Sequence, residues 1–225
     1  MTSPKRRTSG RNVPENTFLR SPGNREKRTK ILIFGEGQET EPNYFKAMRQ
    51  TREIREKFVV TVKGGHGFSE LEVVKEVIKF LNGKSFDEIW CVIDVEGPSK
   101  RDALEEAYKL AEPHKIKICL SNPSFEVWFL AHFEKRARPY KDGSTAESAL
   151  NKRWREKFNR DYEKDNVRHF ENLDLLLKTA VENAKWVLEN HHKNGECKNC
   201  NSSTEVYRLI MRLLPDIEKE LHPPE

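Results

Sequence analysis

The sequence predicts an α/β fold: a mostly parallel sheet flanked by helices, with a helical C-terminal part and a disordered basic N-terminal tail. Three observations carry this prediction. Short Ile/Val-rich runs without polar interruption recur in the first half of the chain, as strands buried on both faces require. Amphipathic helical stretches separate these runs, which is the pattern of βαβ crossovers. Beyond residue 121 the strand pattern stops and only helical periodicity continues. The boundaries that follow are 1–28 for the tail, 29–134 for the α/β core and 135–225 for a helical region packed on that core.

Strand one, 30–35, holds Ile31-Leu32-Ile33-Phe34 and stops at Gly35. Thr40 is placed to N-cap the next helix, with Glu41 and Pro42 in its first turn, where an acid and a proline both suit a helix start. Tyr44, Phe45, Met48, Ile54 and Phe58 give an imperfect apolar stripe. Phe58-Val59-Val60-Thr61-Val62 is a second strand, closed by Gly64-Gly65-His66-Gly67. Ser69 then caps an amphipathic helix carrying Leu71, Val74, Val77, Ile78 and Leu81. The third strand is 88–94. A charged helix over about 100–112 offers Ala103, Leu104, Ala107 and Leu110 inward, and the fourth strand is Ile116–Leu120. Asn122-Pro123 reads as an N-cap and first helical residue ahead of Phe125–Phe133; whether that peptide bond is cis is left open by the sequence. Helices over about 146–160 and 168–190 follow. Ser202-Ser203-Thr204-Glu205 reads as a capping box before Val206, Leu209, Ile210 and Leu213, and Pro215 ends or bends that last helix.

Composition narrows the function classes. With 36% hydrophobic and 34% charged residues, the chain supports a core under a densely charged surface. No apolar run approaches the ~20 residues of a membrane span, and the N-terminus lacks the apolar stretch of a secretory signal. Four cysteines, two of them inside apolar segments (Cys91 and Cys119), fit a reducing cytoplasm better than a disulfide framework. The net charge of +5 is uneven: residues 1–30 hold nine Lys/Arg and two Glu, or +7, leaving −2 for the rest. Such a tail raises affinity for polyanions by counterion release, or simply solubilises.

The chemistry-bearing residues sit at strand ends. Strand one runs into Gly35-Glu36-Gly37 and strand three into Asp94-Val95-Glu96-Gly97. In open α/β sheets, ligands gather beyond the carboxyl ends of the strands. Side chains 94 and 96 share a face if the strand persists. Three carboxylates there suit a hard cation such as Mg²⁺ or Mn²⁺. Singly, each acid also reads as a solvated or capping residue. Glu126, in the first turn of the helix after strand four, is either a fourth member or a carboxylate favoured by the helix dipole. Lys63, His66, Lys100 and Arg101 follow strand ends and are candidates to contact nucleic-acid phosphates. Trp128 and His132 read mainly as core. His191-His192 with Cys197-Lys198-Asn199-Cys200 admits a zinc reading, although the ligand spacing is tight, and a polar interhelical loop is the alternative.

These motifs resemble known families. A Glu after strand one and an acidic pair after strand three resemble the TOPRIM domain of topoisomerases, primases and related nucleases. The wording is closer to the RloB-like family: Phe34-Gly35-Glu36-Gly37 with Thr40-Glu41 and Tyr44-Phe45, Asp94-Val95-Glu96, Asn122-Pro123-Ser124-Phe125-Glu126-Val127-Trp128 with His132-Phe133, and Asn201–Tyr207 near the end. The resemblance spans about 29–214. It implies a TOPRIM-type core, a metal-dependent nuclease acting on RNA, such as tRNA, or DNA, and a role in bacterial or archaeal antiviral defence of the abortive-infection type beside an ATPase partner. Glu96 departs from the more usual Asp, and its longer arm would shift the metal. In that scheme Asp94 and Glu96 hold the ion and Glu36 either joins them or acts as general base. The chain has no Gly-x-x-x-x-Gly-Lys-Ser/Thr loop, so an ATPase would be a separate chain; assembly of the protein with itself is a further expectation. The rival reading is a non-catalytic nucleic-acid-binding scaffold using the tail and Lys135, Arg136, Arg138 and Lys141. A third is phosphoryl or nucleotidyl transfer on a small nucleotide.

Overall fold

A computed structural model describes residues 27–95, 101–193 and 201–221. The basic tail up to residue 26, Glu96–Lys100 and the Cys197/Cys200 loop lie outside the described residues, as does the side chain of Arg101.

Four parallel strands form the sheet: β1 (Thr29–Gly35), β2 (Phe58–Gly64), β3 (Glu88–Asp94) and β4 (Ile116–Ser121), in the order β2-β1-β3-β4. The chain leaves β1 toward one edge to make β2, then crosses back to lay β3 on the other side of β1. The junction between β1 and β3 is therefore the topological switch point, where open α/β sheets take their ligands. Period-two alternation divides each strand between two cores. Ile31, Ile33, Trp90 and Val92 face one layer; Leu32, Phe34, Cys91 and Ile93 face the other.

The thinner layer is α3 (Glu70–Phe80) and α4 (Arg101–Ala111), which bury Val73, Val74, Val77, Leu104 and Ala107 against the sheet. At the start of α3, the Ser69 N–H and Oγ–H both donate to Glu72 Oε2 at 2.8 Å, as the sequence predicts for this cap. The thicker layer joins α1 (Thr40–Met48) and α2 (Arg52–Lys57) to α5 (Glu126–Ala131), α6 (Gly143–Phe158), α7 (His169–Leu173), α8 (Leu177–Lys193), α9 (Val206–Leu213) and α10 (Asp216–Leu221). One apolar cluster runs through it, centred on Tyr44, Phe125, Trp128, Phe129 and Trp154. Tyr44 packs against Phe45, Phe125, Trp128, Phe129 and Phe170 with ring centroids 5.3–6.5 Å apart, mostly edge to face. Glu88, at the start of β3, ties the sheet to α9: Arg212 Nε donates to its Oε1 at 2.7 Å, and Lys117 Nζ to its Oε2 at 2.9 Å.

Several local expectations are corrected. Thr40 is the first helical residue rather than the cap; its hydroxyl donates to the Lys164 carbonyl at 3.3 Å instead. Residues 122–125 are not helical. Asn122-Pro123 is cis, the Asn122 N–H donates to Ser203 O at 2.9 Å, and α5 starts only at Glu126. The capping box at Ser202–Glu205 does not form, because that segment makes an antiparallel bridge from Thr204 to Ser121 along β4, with Ser202 at φ 67°. Helix α6 begins earlier than expected, at Gly143, since the Asp142 carboxylate accepts from the Thr145 N–H at 2.8 Å. The single helix expected over 168–190 is broken by a 3₁₀ turn at Asp174–Leu176. Pro215 does end α9 at Leu213. Among the described residues, no helix is long and apolar enough to cross a membrane.

Gly64 and Gly65 bring the end of β2 into contact with the chain leaving β1. A Cβ on Gly65 would sit 2.5 Å from the Glu36 carbonyl oxygen, and one on Gly64 would sit 2.5 Å from that of Gly37. We expect Gly65→Ala to force this loop away and destabilise the fold by about 1–3 kcal/mol. Thermal melting checks this, at about 2–4 °C lost per kcal/mol; an unchanged melting temperature refutes the close packing.

Candidate active site

At the switch point a cavity of about 460 Å³ opens between the ends of β1 and β3 and the helical layer. Glu36 enters it from the loop after β1, Asp94 from the end of β3, Glu41 from the first turn of α1 and Glu126 from the first turn of α5. Asp94 continues the series Trp90, Val92 on the thick-layer face of its strand, which aims it at α1 and α5. Glu39 and Glu147 also line the cavity. Among the described lining residues Lys164, from the connector between α6 and α7, is the one cation.

The carboxylates are held individually. The Asp94 N–H donates to Glu36 Oε2 at 3.0 Å, so the ends of the two central strands are joined through an acidic side chain. The Gly37 N–H donates to Glu41 Oε1 at 3.1 Å. Glu126, 3% exposed, accepts from Ser124 Oγ at 2.6 Å and from the Tyr162 hydroxyl at 3.4 Å. Lys164 Nζ stands 3.6 Å from Glu126 Oε1 and 3.1 Å from Glu147 Oε2. Asp94 shows part of its surface to the cavity, yet its Oδ1 is buried with no hydrogen-bond partner.

Electrostatics follow from this crowding. Burial, and then the negative charges of Glu41, Glu36 and Glu126, hold the Asp94 carboxyl well above the usual carboxylate range. Burial also raises Glu41, with Glu126 adding to it, while hydrogen bonds from the backbone and the charge of Lys164 oppose the rise. Among the described residues no group of three His, Cys, Asp or Glu side chains converges closely enough to hold a metal ion between them. Each of Glu36, Glu41 and Glu126 is turned toward its own donor.

Of the residues picked from sequence, Glu36, Asp94 and Glu126 come together around this cavity. Glu96, Lys100 and the side chain of Arg101 lie outside the described residues, so the acidic pair is represented by Asp94 alone. Lys63 does not line the cavity; its ammonium lies 5.4 Å from the Phe80 ring centroid on the opposite layer. His66 stands at the rim, where its Nδ1 accepts a short hydrogen bond from the Gln38 amide. His132 is a core residue: its Nδ1 contacts the Trp128 carbonyl at 3.0 Å, and burial depresses its pKa to about 4. From sequence, Glu41 and Ser124 appear within the motifs of the family resemblance, Glu41 also as a helix-start acid, but neither is assigned to the site, and Tyr162 and Lys164 are not singled out at all. Glu41 carried a signal in its Gly-x-x-x-Glu spacing from Gly37, whereas the 159–168 connector offered no periodicity to follow.

The RloB-like protein family matches residues 31–213, most of the chain, and the chain belongs to that family. No curated protein and no solved structure matches it significantly.

A carboxyl raised in this way is protonated in the folded state at pH values where it is ionised in the unfolded chain. Its stabilising effect is complete below the unfolded-state pKa and is lost as pH rises through the folded-state pKa. In chelator, Asp94→Asn is therefore expected to melt several degrees above the parent at neutral pH, the gap closing as pH falls toward 4. A lower melting temperature for the variant at neutral pH refutes the charge-crowding account.

Proposed function

We propose that this member of the RloB-like family is a metal-dependent nuclease of the TOPRIM type. It would hydrolyse phosphodiesters of RNA, tRNA included, or of DNA, with Mg²⁺ or Mn²⁺ at the carboxylate cavity. One observation carries the reading: a buried carboxylate oxygen of Asp94 has no partner, beside further carboxylates, at the switch point of a parallel sheet. A site that gathers negative charge with only partial internal compensation fits an external cation.

The donor set also suits Mg²⁺ in particular. That ion usually keeps several waters and takes only one or two protein carboxylates together with substrate phosphates. Separately held acids are therefore compatible with it, and a closed cage of three is not required. Asp94 would hold it, with Glu96 joining from two residues beyond Asp94, which leaves Glu36 for the general-base role. When bound, the ion supplies charge stabilisation at the phosphate oxygens and acidifies water.

The chain's own residues do the rest. Glu36, half-buried and in contact with the cavity, accepts the proton of the attacking water. Glu126, fixed by Ser124 and Tyr162, shapes the floor and holds Lys164 over the opening. The Lys164 ammonium is positioned to meet the transferred phosphate and offset charge as it develops. Family membership supports a defence role of the abortive-infection type, with a separate ATPase as partner and action in the cytoplasm.

Incubation with tRNA or plasmid DNA, in Mg²⁺, Mn²⁺ or EDTA, tests the reading. Cleavage should require the metal, and Glu36→Gln and Asp94→Asn should each lower it by at least about 10²-fold, the effect of losing a positioned acid–base group. Mg²⁺ should also raise the melting temperature of the parent but not of Asp94→Asn. Binding without cleavage under every condition would favour the scaffold reading, and cleavage unaffected by both substitutions would remove these residues from the chemistry.

A further inference from the structure

A second site, of opposite charge, lies on the helical layer. The connector between α5 and α6 carries Lys135, Arg136 and Arg138, which wall an open cleft of about 590 Å³ with Asn190 and His191 of α8. Among the described residues these three cations form no ion pair. The one acid among the described residues of that wall, Glu134, is already committed: Arg153 Nη2 lies 2.6 Å from its Oε2, and the Tyr140 hydroxyl donates to its Oε1 at 3.0 Å. The Arg136 guanidinium lies 4.8 Å from the Tyr140 ring centroid, and its Nε is buried without a hydrogen-bond partner.

An aromatic ring lies against Lys135, one of the cations that wall the cleft. Trp186 precedes Asn190 by one turn on α8, so both occupy one face. Lys135 Nζ lies 4.6 Å from the indole centroid. Trp186 is 37% exposed, whereas Trp90, Trp128 and Trp154 are at most 7% exposed. Its neighbours leave part of the ring for a ligand.

We infer that this cleft binds single-stranded nucleic acid, with phosphates on Lys135, Arg136 and Arg138 and a base on Trp186. The inference rests on the nuclease reading and names the form of the substrate and the path of its strand. The acidic cavity repels phosphates, with six carboxylates and one lysine among its described lining residues. Affinity must then come from a cationic surface nearby. Arg138 and Gly143, the latter on the cavity wall, are five positions apart, which limits that Cα–Cα span to about 18 Å. At ~3.4 Å per stacked nucleotide, a strand held at Arg138 reaches the cavity wall at Gly143 within about five nucleotides. A duplex hides its base faces; an unpaired strand offers them to an indole.

The test is fluorescence anisotropy with labelled oligo-uridine and oligo-thymidine, in EDTA, on the full chain. The double variant Lys135→Glu/Arg138→Glu should bind more weakly and flatten the log–log salt dependence by about 1.4, at ~0.7 per lost single-strand phosphate contact. Trp186→Ala should weaken binding about 5- to 150-fold, while Trp186→Phe, which keeps a stacking ring, restores most of it. The pair Arg52→Glu/Lys79→Glu, the same charge change at exposed positions on other elements, should alter neither affinity nor slope. Patch variants that bind like the parent, a control pair that weakens binding as much, or affinity for an acidic protein partner with none for oligonucleotides overturns the inference. Because binding is read without hydrolysis, the two readings fail separately. Patch-dependent binding without cleavage leaves this one standing, and metal-dependent cleavage with patch-independent binding removes it alone.

Discussion

The structure is organised around negative charge that it gathers instead of dispersing. β1 and β3 end side by side, and the last hydrogen bond between them passes through a carboxylate: the Asp94 N–H donates to Glu36 Oε2. Glu41 and Glu126 then enter from helix starts on the thick layer. Taking a charge out of water costs several kcal/mol unless it is paired and hydrogen-bonded. The fold meets part of that cost with backbone N–H groups, Ser124, Tyr162 and Lys164. It leaves Asp94 Oδ1 without a partner.

This requirement binds the two halves of the chain into one unit. Lys164 reaches the cavity because its connector is fastened to the start of α1: the Thr40 hydroxyl donates to the Lys164 carbonyl, and the Asn43 amide to that of Asp165. The last segment of the chain covers β4. Ser202 N–H donates to Asn122 O at 2.7 Å, and Glu205 N–H to Leu120 O at 2.7 Å, so the exposed edge of the sheet acquires a partner just below the turn that leads to Glu126. The helical region thus supplies both a lid of charge and the support for one of the acids.

The parts legible in the sequence were those governed by local periodicity. Uninterrupted apolar runs located β1 and β3, β-branched runs broken by one polar residue (Thr61, Lys117) located β2 and β4, and Gly35-Glu36-Gly37 and Asp94 marked the two ends that meet at the switch point. The Ser69 cap was legible because its partner Glu72 is three residues away. The errors came where distant segments override local preference. Ser202–Glu205 has the wording of a capping box, but the bridge from Thr204 to Ser121 holds it out of a helix start. Asn122-Pro123 has the wording of a helix start, but bonds to Ser202 and Ser203 claim its backbone. Lys164 was invisible for a similar reason: its partners lie 38 and 17 positions earlier in the chain, at Glu126 and Glu147.

The charge distribution also bears on the choice between catalyst and scaffold. A protein that only holds nucleic acid gains nothing from an acidic cavity, since carboxylates repel the backbone it must grip. Neutral residues at 41 and 94 would ease burial without weakening that grip. Retaining acids at both positions, beside Glu36 and Glu126, is physically sensible where a cation is needed at the same place as a phosphate. If the protein is the proposed nuclease, the basic connector would resolve the remaining conflict, because attraction for the polymer and stabilisation of the reacting phosphate call for opposite surface charges. On the proposed reading, two sites joined by the short connector from Arg138 to Gly143 would satisfy both demands.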